Sequence, residues 1–482
     1  MRDRGLRYWL PSYIIGSARR LNLAMERRGS LTHLIFAVCD HFEPQHGVDD
    51  PAIAEQRIRA WHSGFQELQD DCSKAFGLRP LHTWFYPPHH GEIHLTPLAR
   101  MAFDGLGEIE LHYHHNGDNR ESLKASLKKT LETYHQYGLL LQVGEPPGSK
   151  FGFIHGDWAL DNSAGGRFCG VNGELSVLES LGCWADLTMP SANECQTRKI
   201  NSIYYAKDSH TRAKSHDWGT DARVGDVSQE GLMLIQGPIS LGLRGGLRPT
   251  MENAALTTAN WGDAHRIRSW IRCGVHVRGR PDWIFIKLHA HGALERDFDA
   301  LFGDRARAMH RILAERYNDG KRFKLHYVSA RQAFNLVRAA EHGIEADPDD
   351  LLDWEIPPPV TSRYCLNARH EISACTSETL SIRVLNPSSQ VSLELRHSAL
   401  KNITGAFKMV DLSQNKARLH MPSGMRESKI RVRMHPNIGA KIISGSIIDR
   451  RDDELTLSAN VDGQLVCEFE ADLIGQTSLV LK

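Results

Sequence analysis

The sequence predicts an α/β protein: a distorted (β/α)7-8 barrel followed by a smaller β-sandwich domain. Three observations lead there. From residue 34 to about 340, short apolar runs alternate with helical patterns seven or eight times, as parallel strands joined by helical crossovers do. At 346–360 an acidic stretch runs into Pro357-Pro358-Pro359, a stiff spacer and not an element interior. Beyond it only short strand candidates follow. The expected division is an arm at 1–30, a catalytic barrel at 31–345, a linker at 346–360 and an accessory domain at 361–482.

The arm, MRDRGLRYWLPSYIIGSARR, is basic with a short apolar centre broken by Pro11. It is too short to span a bilayer and lacks a signal-peptide pattern. It reads as a segment packed on the domain. The competing reading is peripheral membrane contact through residues 1–20, with Trp9, Tyr13, Ile14 and Ile15 against the surface. In the barrel, strands are expected at 34–39, 81–86, 108–114, 151–155, 183–187, 232–236, 283–289 and 323–328. Helices are expected from 51 to about 75, where Ile53, Ile58, Trp61 and Phe65 are the apolar positions, and at 121–141, 293–317 and 330–342. Residues 189–230 are polar without a long helical pattern and read as a substrate-facing loop or lid. In the last domain, strands are expected at 381–385, 391–395, 407–410, 417–420, 430–434, 440–447, 455–458, 465–469 and 478–481, with Asp462-Gly463 as a hairpin turn.

Charge and cysteine usage narrow the function classes. The chain has 482 residues and a formal net charge of +0, which argues against nucleic acid as a partner. Nine Cys stand singly without a CxxC pair, so neither a disulfide framework nor a thiolate zinc centre is expected, and a reducing, cytoplasmic compartment is. The 26 His direct attention to metal binding and proton transfer.

The chemistry gathers at strand ends, where an α/β barrel keeps its active site. GEIELHYHHNGDN places His112 and His114 on one strand face, with His115 following. LIFAVCDHFEP ends the first strand with Asp40, His41 and Glu43, and WIFIKLHAHGA ends a late one with His289 and His291. A carboxylate there can ligate an ion or take a proton, and a histidine opposite can protonate a leaving group. GFIHGDWALDNS offers His155, Asp157 and Trp158, and HTWFYPPHHGE offers Trp84 and Tyr86, as sugar-stacking and hydrogen-bonding groups.

On VCDHFEP, EIELHYHHNG and IKLHAHG, residues from about 30 to 340 resemble the polysaccharide deacetylases of carbohydrate esterase family four, which include the nodulation-type chitooligosaccharide deacetylase. The resemblance implies a distorted (β/α) barrel that removes acetyl groups from N-acetylated sugars with zinc or a similar divalent ion. It implies Asp40 as general base, His41 at the position of the metal-binding aspartate, His112 as the first metal histidine and His289 as the proton donor to the leaving amine. The sequence departs from the family where the second metal histidine should stand, since that position is Asn116. His114 or His115 would then substitute, and Asp40 becomes either base or ligand. The expected activity is metal-dependent N-deacetylation of a glycan such as an exopolysaccharide. Competing readings are a glycoside hydrolase or lyase using Asp157 and Asp186, a non-catalytic glycan-binding protein, and a membrane-peripheral member of a polysaccharide assembly complex.

Overall fold

The computed structural model describes residues 4–356 apart from 28, 138, 144–147 and 245–246, and beyond residue 360 it describes the backbone of eleven strands. The chain divides into two units. One comprises 1–90, 110–128 and 151–356, and the other comprises 91–109, 129–150 and 357–482.

The strands of the barrel region, in chain order, are β1 (Thr32–His41), β2 (His82–Tyr86), β3 (Gly107–Tyr113), β4 (Leu141–Val143), β5 (Gly148–His155), β6 (Cys183–Asp186), β7 (Ile203–Ala206), β8 (Gly219–Asp221), β9 (Leu232–Ile235), β10 (Ser240–Arg244), β11 (Arg248–Glu252), β12 (Ala255–Leu256), β13 (Trp283–Ala290) and β14 (Phe323–Tyr327). Twelve of them form a mixed α/β fold around one sheet curled into a half-barrel, in the order β12-β13-β1-β2-β3-β5-β6-β9-β7-β8, and β10 and β11 pair antiparallel in a separate two-stranded sheet. β14 pairs with β1 and β4 with β5, off this path. β1 is the hub: it runs parallel to β13 from His33 beside Trp283 to Asp40 beside Ala290, to β14 over its first half, and to β2 over its last. That register brings Cys39 beside His289 and His41 beside Phe85. All eight strands expected from the sequence are present.

The helices are α1 (Leu6–Glu26), α2 (Pro51–Phe76), α3 (Leu95–Phe103), α4 (Arg120–Gln136), α5 (Glu174–Ser180), α6 (Ala264–Cys273), α7 (Phe298–Leu301), α8 (Asp304–Tyr317) and α9 (Ala330–Glu341). α2 starts where its sequence says it should. Asp50 caps the Ala52 amide, Pro51 takes the first turn, and Gly77 ends the helix with φ 67°. Ala54, Ile58, Trp61, Phe65, Leu68 and Cys72 recur at helical spacing and are buried. Ile53, expected on that face, is instead exposed. α9 begins with a capping box in which Ser329 and Gln332 satisfy each other's backbone amides.

The structure refines four of these readings. Residues 293–317 are not one helix: the chain turns at Phe302-Gly303, and the Asp299 carboxylate accepts from the Arg305 amide to start α8. The arm is helical through Pro11; Trp9 is fully buried and Tyr13 donates to the Leu241 carbonyl, while Ile14 and Ile15 face outward. The 189–230 segment is not a loose lid. It supplies β7 and β8, and its polar side chains bond backbone: Gln196 Nε2 donates to the Thr197 carbonyl and Asn201 Nδ2 to that of Ile239. Polar composition looked like solvent exposure because a buried amide and a surface amide are the same letter. The acidic run 347–355 is fastened to the barrel unit as far as Ile356, by Lys324–Asp347 at 2.6 Å, His326–Asp349 at 2.6 Å, Arg331–Asp353 at 2.9 Å and Arg338–Glu355 at 2.9 Å.

In the other unit the strands beyond residue 360 make two sheets. Six strands run in the order Arg369–Cys375, Thr379–Asn386, Ser389–Arg396, Ser428–Met434, Glu454–Ala459 and Ile447–Arg451. Five run in the order Lys408–Val410, Lys416–His420, Val466–Ala471, Gln476–Leu481 and Gly439–Ser444. Asp462-Gly463 lies outside the described residues. The strands flanking it, Glu454–Ala459 and Val466–Ala471, belong to different sheets and form no hairpin. A turn signal specifies a local bend, and the partner is chosen by side-chain packing. Among the described residues no helix is long and apolar enough to cross a membrane, and the six described cysteines are free and buried.

Candidate metal centre

β3 ends inside the curl of the sheet, and its alternation sorts the histidines. His112 and His114 share one face, while Tyr113 and His115 share the other. On the inner face the two imidazoles meet with their Nε2 atoms 2.9 Å apart. Each is held by its other nitrogen: His112 Nδ1 donates to the Ile154 carbonyl at 3.0 Å, and His114 Nδ1 to the Asp157 carboxylate at 3.2 Å. Both Nε2 atoms therefore present lone pairs to the same point. The Glu43 carboxylate faces it as well, 3.3 Å from His114 Nε2 and 4.0 Å from His112 Nε2. Two lone pairs and a carboxylate repel one another in a buried site unless a cation or proton lies among them. An ion in tetrahedral geometry with bonds of ~2.0–2.1 Å spaces its ligand atoms by roughly 3.3 Å. Glu43, His112 and His114 are thus a group that can hold a metal ion. The Asp157–His114 contact is the outer support such ligands commonly have.

Around this point stand three more rings. His41 lies 4.8 Å, centroid to centroid, from both His112 and His291, and its Nε2 is buried without a hydrogen-bond partner. His291 Nδ1 is 3.7 Å from Glu43. Trp158, held with φ 56°, packs its ring 5.8 Å from His41 and 5.5 Å from His291. A left-handed Trp is strained backbone, and the strain keeps the indole over the histidines. Gly156 makes room for the site, since a Cβ there would fall inside the His114 ring.

The electrostatics follow from burial and charge. Burial works against the Glu43 carboxylate, but the facing imidazoles of His114 and His291 outweigh it and hold its pKa well below the usual range. His112 is pushed down to about 3 by burial, with His114 adding to the effect. His41 and His289 are driven well below 6.5 by burial and by neighbouring positive charge. His114 goes the other way, to about 9: burial opposes, and the Asp157 and Glu43 carboxylates prevail. In the metal-free protein a proton on His114 fills the gap that an ion would fill.

Glu43 is the residue that the sequence reading named only as a neighbour. It stands two positions after His41, and its loop is clamped. Phe42 donates its amide to the Phe85 carbonyl at 2.9 Å, the Gln45 amide donates to His90 Nδ1 at 3.2 Å, and the buried Arg57 guanidinium donates to the carbonyls of Pro44 and His46 at 2.9 Å. Arg57 is itself held by Glu295 at 2.8 Å.

The other expected site residues distribute as follows. His41, His112, His114, Asp157, Trp158, His289 and His291 gather around the centre. Asp40 does not: it lies on the strand face opposite His41, accepts from the Gly292 amide at 2.5 Å and stands 3.8 Å from His82 Nδ1. Glu43, not Asp40, is the carboxylate that faces the two histidines. Trp84 and Tyr86 are fully buried, Trp84 against Phe42 and Phe65, so neither offers a ring to a sugar. His155 is also fully buried and faces away from the centre, toward His115 and Glu174. Asp186 is buried beneath Thr188, whose hydroxyl donates to it at 2.6 Å, and burial raises its pKa to about 6. A cavity of about 590 Å³ opens at His291 and is walled by Asn260, Trp261, Arg296 and Arg305. Through Thr257, Asn260 and Arg266 it shares a wall with one of about 900 Å³.

Compared with known proteins, the chain matches no family model, no curated protein and no solved structure. The likeness to the polysaccharide deacetylases rests on its three strand-end motifs.

Proposed function

We propose that this protein is a metal-dependent hydrolase that removes N-acetyl groups from a glycan. The observation that carries the reading is the convergence of two bare His Nε2 atoms, from His112 and His114, on the Glu43 carboxylate. Two nitrogens and one carboxylate oxygen suit zinc with a position left open for chemistry. When bound, the ion supplies a Lewis acid that brings a water's pKa to ~7 and polarises a carbonyl. The same reading takes the half-barrel as a distorted (β/α)7-8 barrel and the strands beyond residue 360 as a β-sandwich accessory domain.

The chain's own groups divide the remaining work. Asp157 orients His114, and the Ile154 carbonyl orients His112. Glu43, kept as a carboxylate by His114 and His291, holds negative charge at the centre. His291 stands at the cavity wall beside Glu43 and is placed to pass a proton to a departing amine. His289, 3% exposed and held neutral by burial, backs His41 and His291 from inside. Trp261 supplies an apolar face, and Asn260, Arg296 and Arg305 supply donors, for a sugar chain in the groove, with Trp158 beside His291 at its edge. The test is acetate release from N-acetylated glycans before chelation, after chelation and after zinc is restored. Loss and recovery are expected; release that is indifferent to chelation would overturn the metal mechanism.

A further inference from the structure

The outer face of β3 carries a second convergence. His115 Nε2 lies 3.0 Å from His155 Nε2 and 3.0 Å from Glu174 Oε1, and His155 Nε2 lies 3.4 Å from that same oxygen. Both imidazoles spend their Nδ1 protons elsewhere, His115 on the Asp118 carboxylate at 3.0 Å and His155 on the Gly156 carbonyl at 2.5 Å. Two lone pairs and a carboxylate oxygen again face one point, here almost wholly out of water: His155, Glu174 and Cys169 are fully buried. Glu174 is aimed by its other oxygen, which accepts the Asp161 amide at 2.6 Å. The Cys169 sulfur lies 3.6 Å from Glu174 Oε2 and receives the Val171 amide at 3.4 Å, the kind of donor that steadies a thiolate.

A third cluster shows why this pattern is informative. His33 Nδ1 and His326 Nε2 are 2.9 Å apart, and His326 Nδ1 is spent on Asp349. Among the described residues no acceptor holds the other His33 nitrogen as Asp349 holds that of His326, so an ordinary N–H···N bond satisfies that pair. At His115 and His155 both outer nitrogens face acceptors, so a neutral pair has no proton for the point it shares with Glu174, and a proton or a cation must lie there.

We propose that His115, His155, Glu174 and Cys169 bind a second, structural divalent ion, closed on all four sides in the manner of tetrahedral zinc. The ion would join the end of β3, the end of β5, the 169–173 turn and the first turn of α5. No position is left for a substrate, so its role is to hold the β3 end from which His112 and His114 project. The inference does not depend on the reaction proposed above.

The test uses the full chain carrying His112→Ala, which disables the first centre and leaves the second. Inductively coupled plasma mass spectrometry is expected to find one zinc per chain in this variant after metal loading and desalting, and zinc is expected to raise its melting temperature. With cobalt(II) in place of zinc, a sulfur-to-cobalt charge-transfer band in the near ultraviolet is expected, and Cys169→Ser in the same background should abolish it. A folded His112→Ala chain that holds no ion and whose melting is unmoved by zinc would overturn the site. An ion without the band would remove Cys169 from the ligand set. Glu174→Gln should lose the ion; if that variant does not fold, the His112→Ala measurement still decides.

Discussion

His112 donates one proton to the Ile154 carbonyl, and that bond determines what its other nitrogen can do. The same holds for His114 and Asp157, so the outer acceptors matter as much as the ligands. Asp157→Asn should therefore weaken zinc binding ~10–100-fold without unfolding the chain, measured by competition with a chromophoric chelator; undiminished affinity would show that Asp157 is incidental. The choice between Glu43 and Asp40 is equally sharp. Glu43→Gln should lose the first ion and with it glycan deacetylation, whereas Asp40→Asn, which touches Gly292 and His82, should keep the ion. Metal analysis of the two variants side by side decides, and the reverse pattern would restore Asp40 to the centre. His112, His114 and His291 were legible as residues because strand alternation is written in the sequence. Asp40 was misplaced by the same rule applied less strictly: adjacent residues on a strand cannot both face the centre, and Glu43 reaches it from the loop just past the end of β1.

Elements place these residues, and how far they could be read varied with the kind of signal. Strands β1, β2, β3, β5, β6, β9, β13 and β14 announced themselves as apolar runs, and α2 and α9 by spacing and caps. The short β8 and β12 did not, because two or three residues carry no periodicity. Trp84 looked like a sugar platform but is core, since an aromatic after a strand has the same letter on either side of the sheet. Arg57 gave no sequence signal at all. Its role arises only when α2 packs beside the Glu43 loop and the guanidinium finds the carbonyls of Pro44 and His46. Arg57→Gln should free that loop and lower zinc affinity, while Trp61→Ala on the same helix, which empties a contact with Phe298 and Phe302, should cost about 3–5 kcal/mol of stability and leave zinc affinity nearly unchanged. Denaturant unfolding and zinc titration of both variants separate the two roles; equal effects on both readouts would contradict the clamp.

Across the whole molecule, buried neutral histidines set the acid limit. Burial lowers His310 from 6.5 to about 3, with His82 adding to the effect, and lowers His135 to about 4 against a hydrogen bond to Leu141. Neither belongs to a proposed metal centre. Below pH 6.5 the unfolded chain takes up protons that the folded chain refuses, so stability is present above 6.5 and is lost as pH falls toward 3–4. Each such group contributes a slope of up to about 1.4 kcal/mol per pH unit within that window. The chelated protein should melt progressively lower from pH 7 to pH 4.5, and His310→Gln should flatten that dependence; a slope unchanged by the substitution would place the acid limit elsewhere.

The central claim is that Glu43, His112 and His114 hold the ion that does the chemistry, and counting ions in His112→Ala beside the wild type tests it most directly, with acetate release from N-acetylated glycans read on the same samples. The variant is expected to hold one ion fewer per chain and to release no acetate, while the wild type releases it. A variant that keeps the wild-type ion count would contradict the centre itself, and a wild type that holds its ions but releases no acetate would contradict the deacetylase assignment.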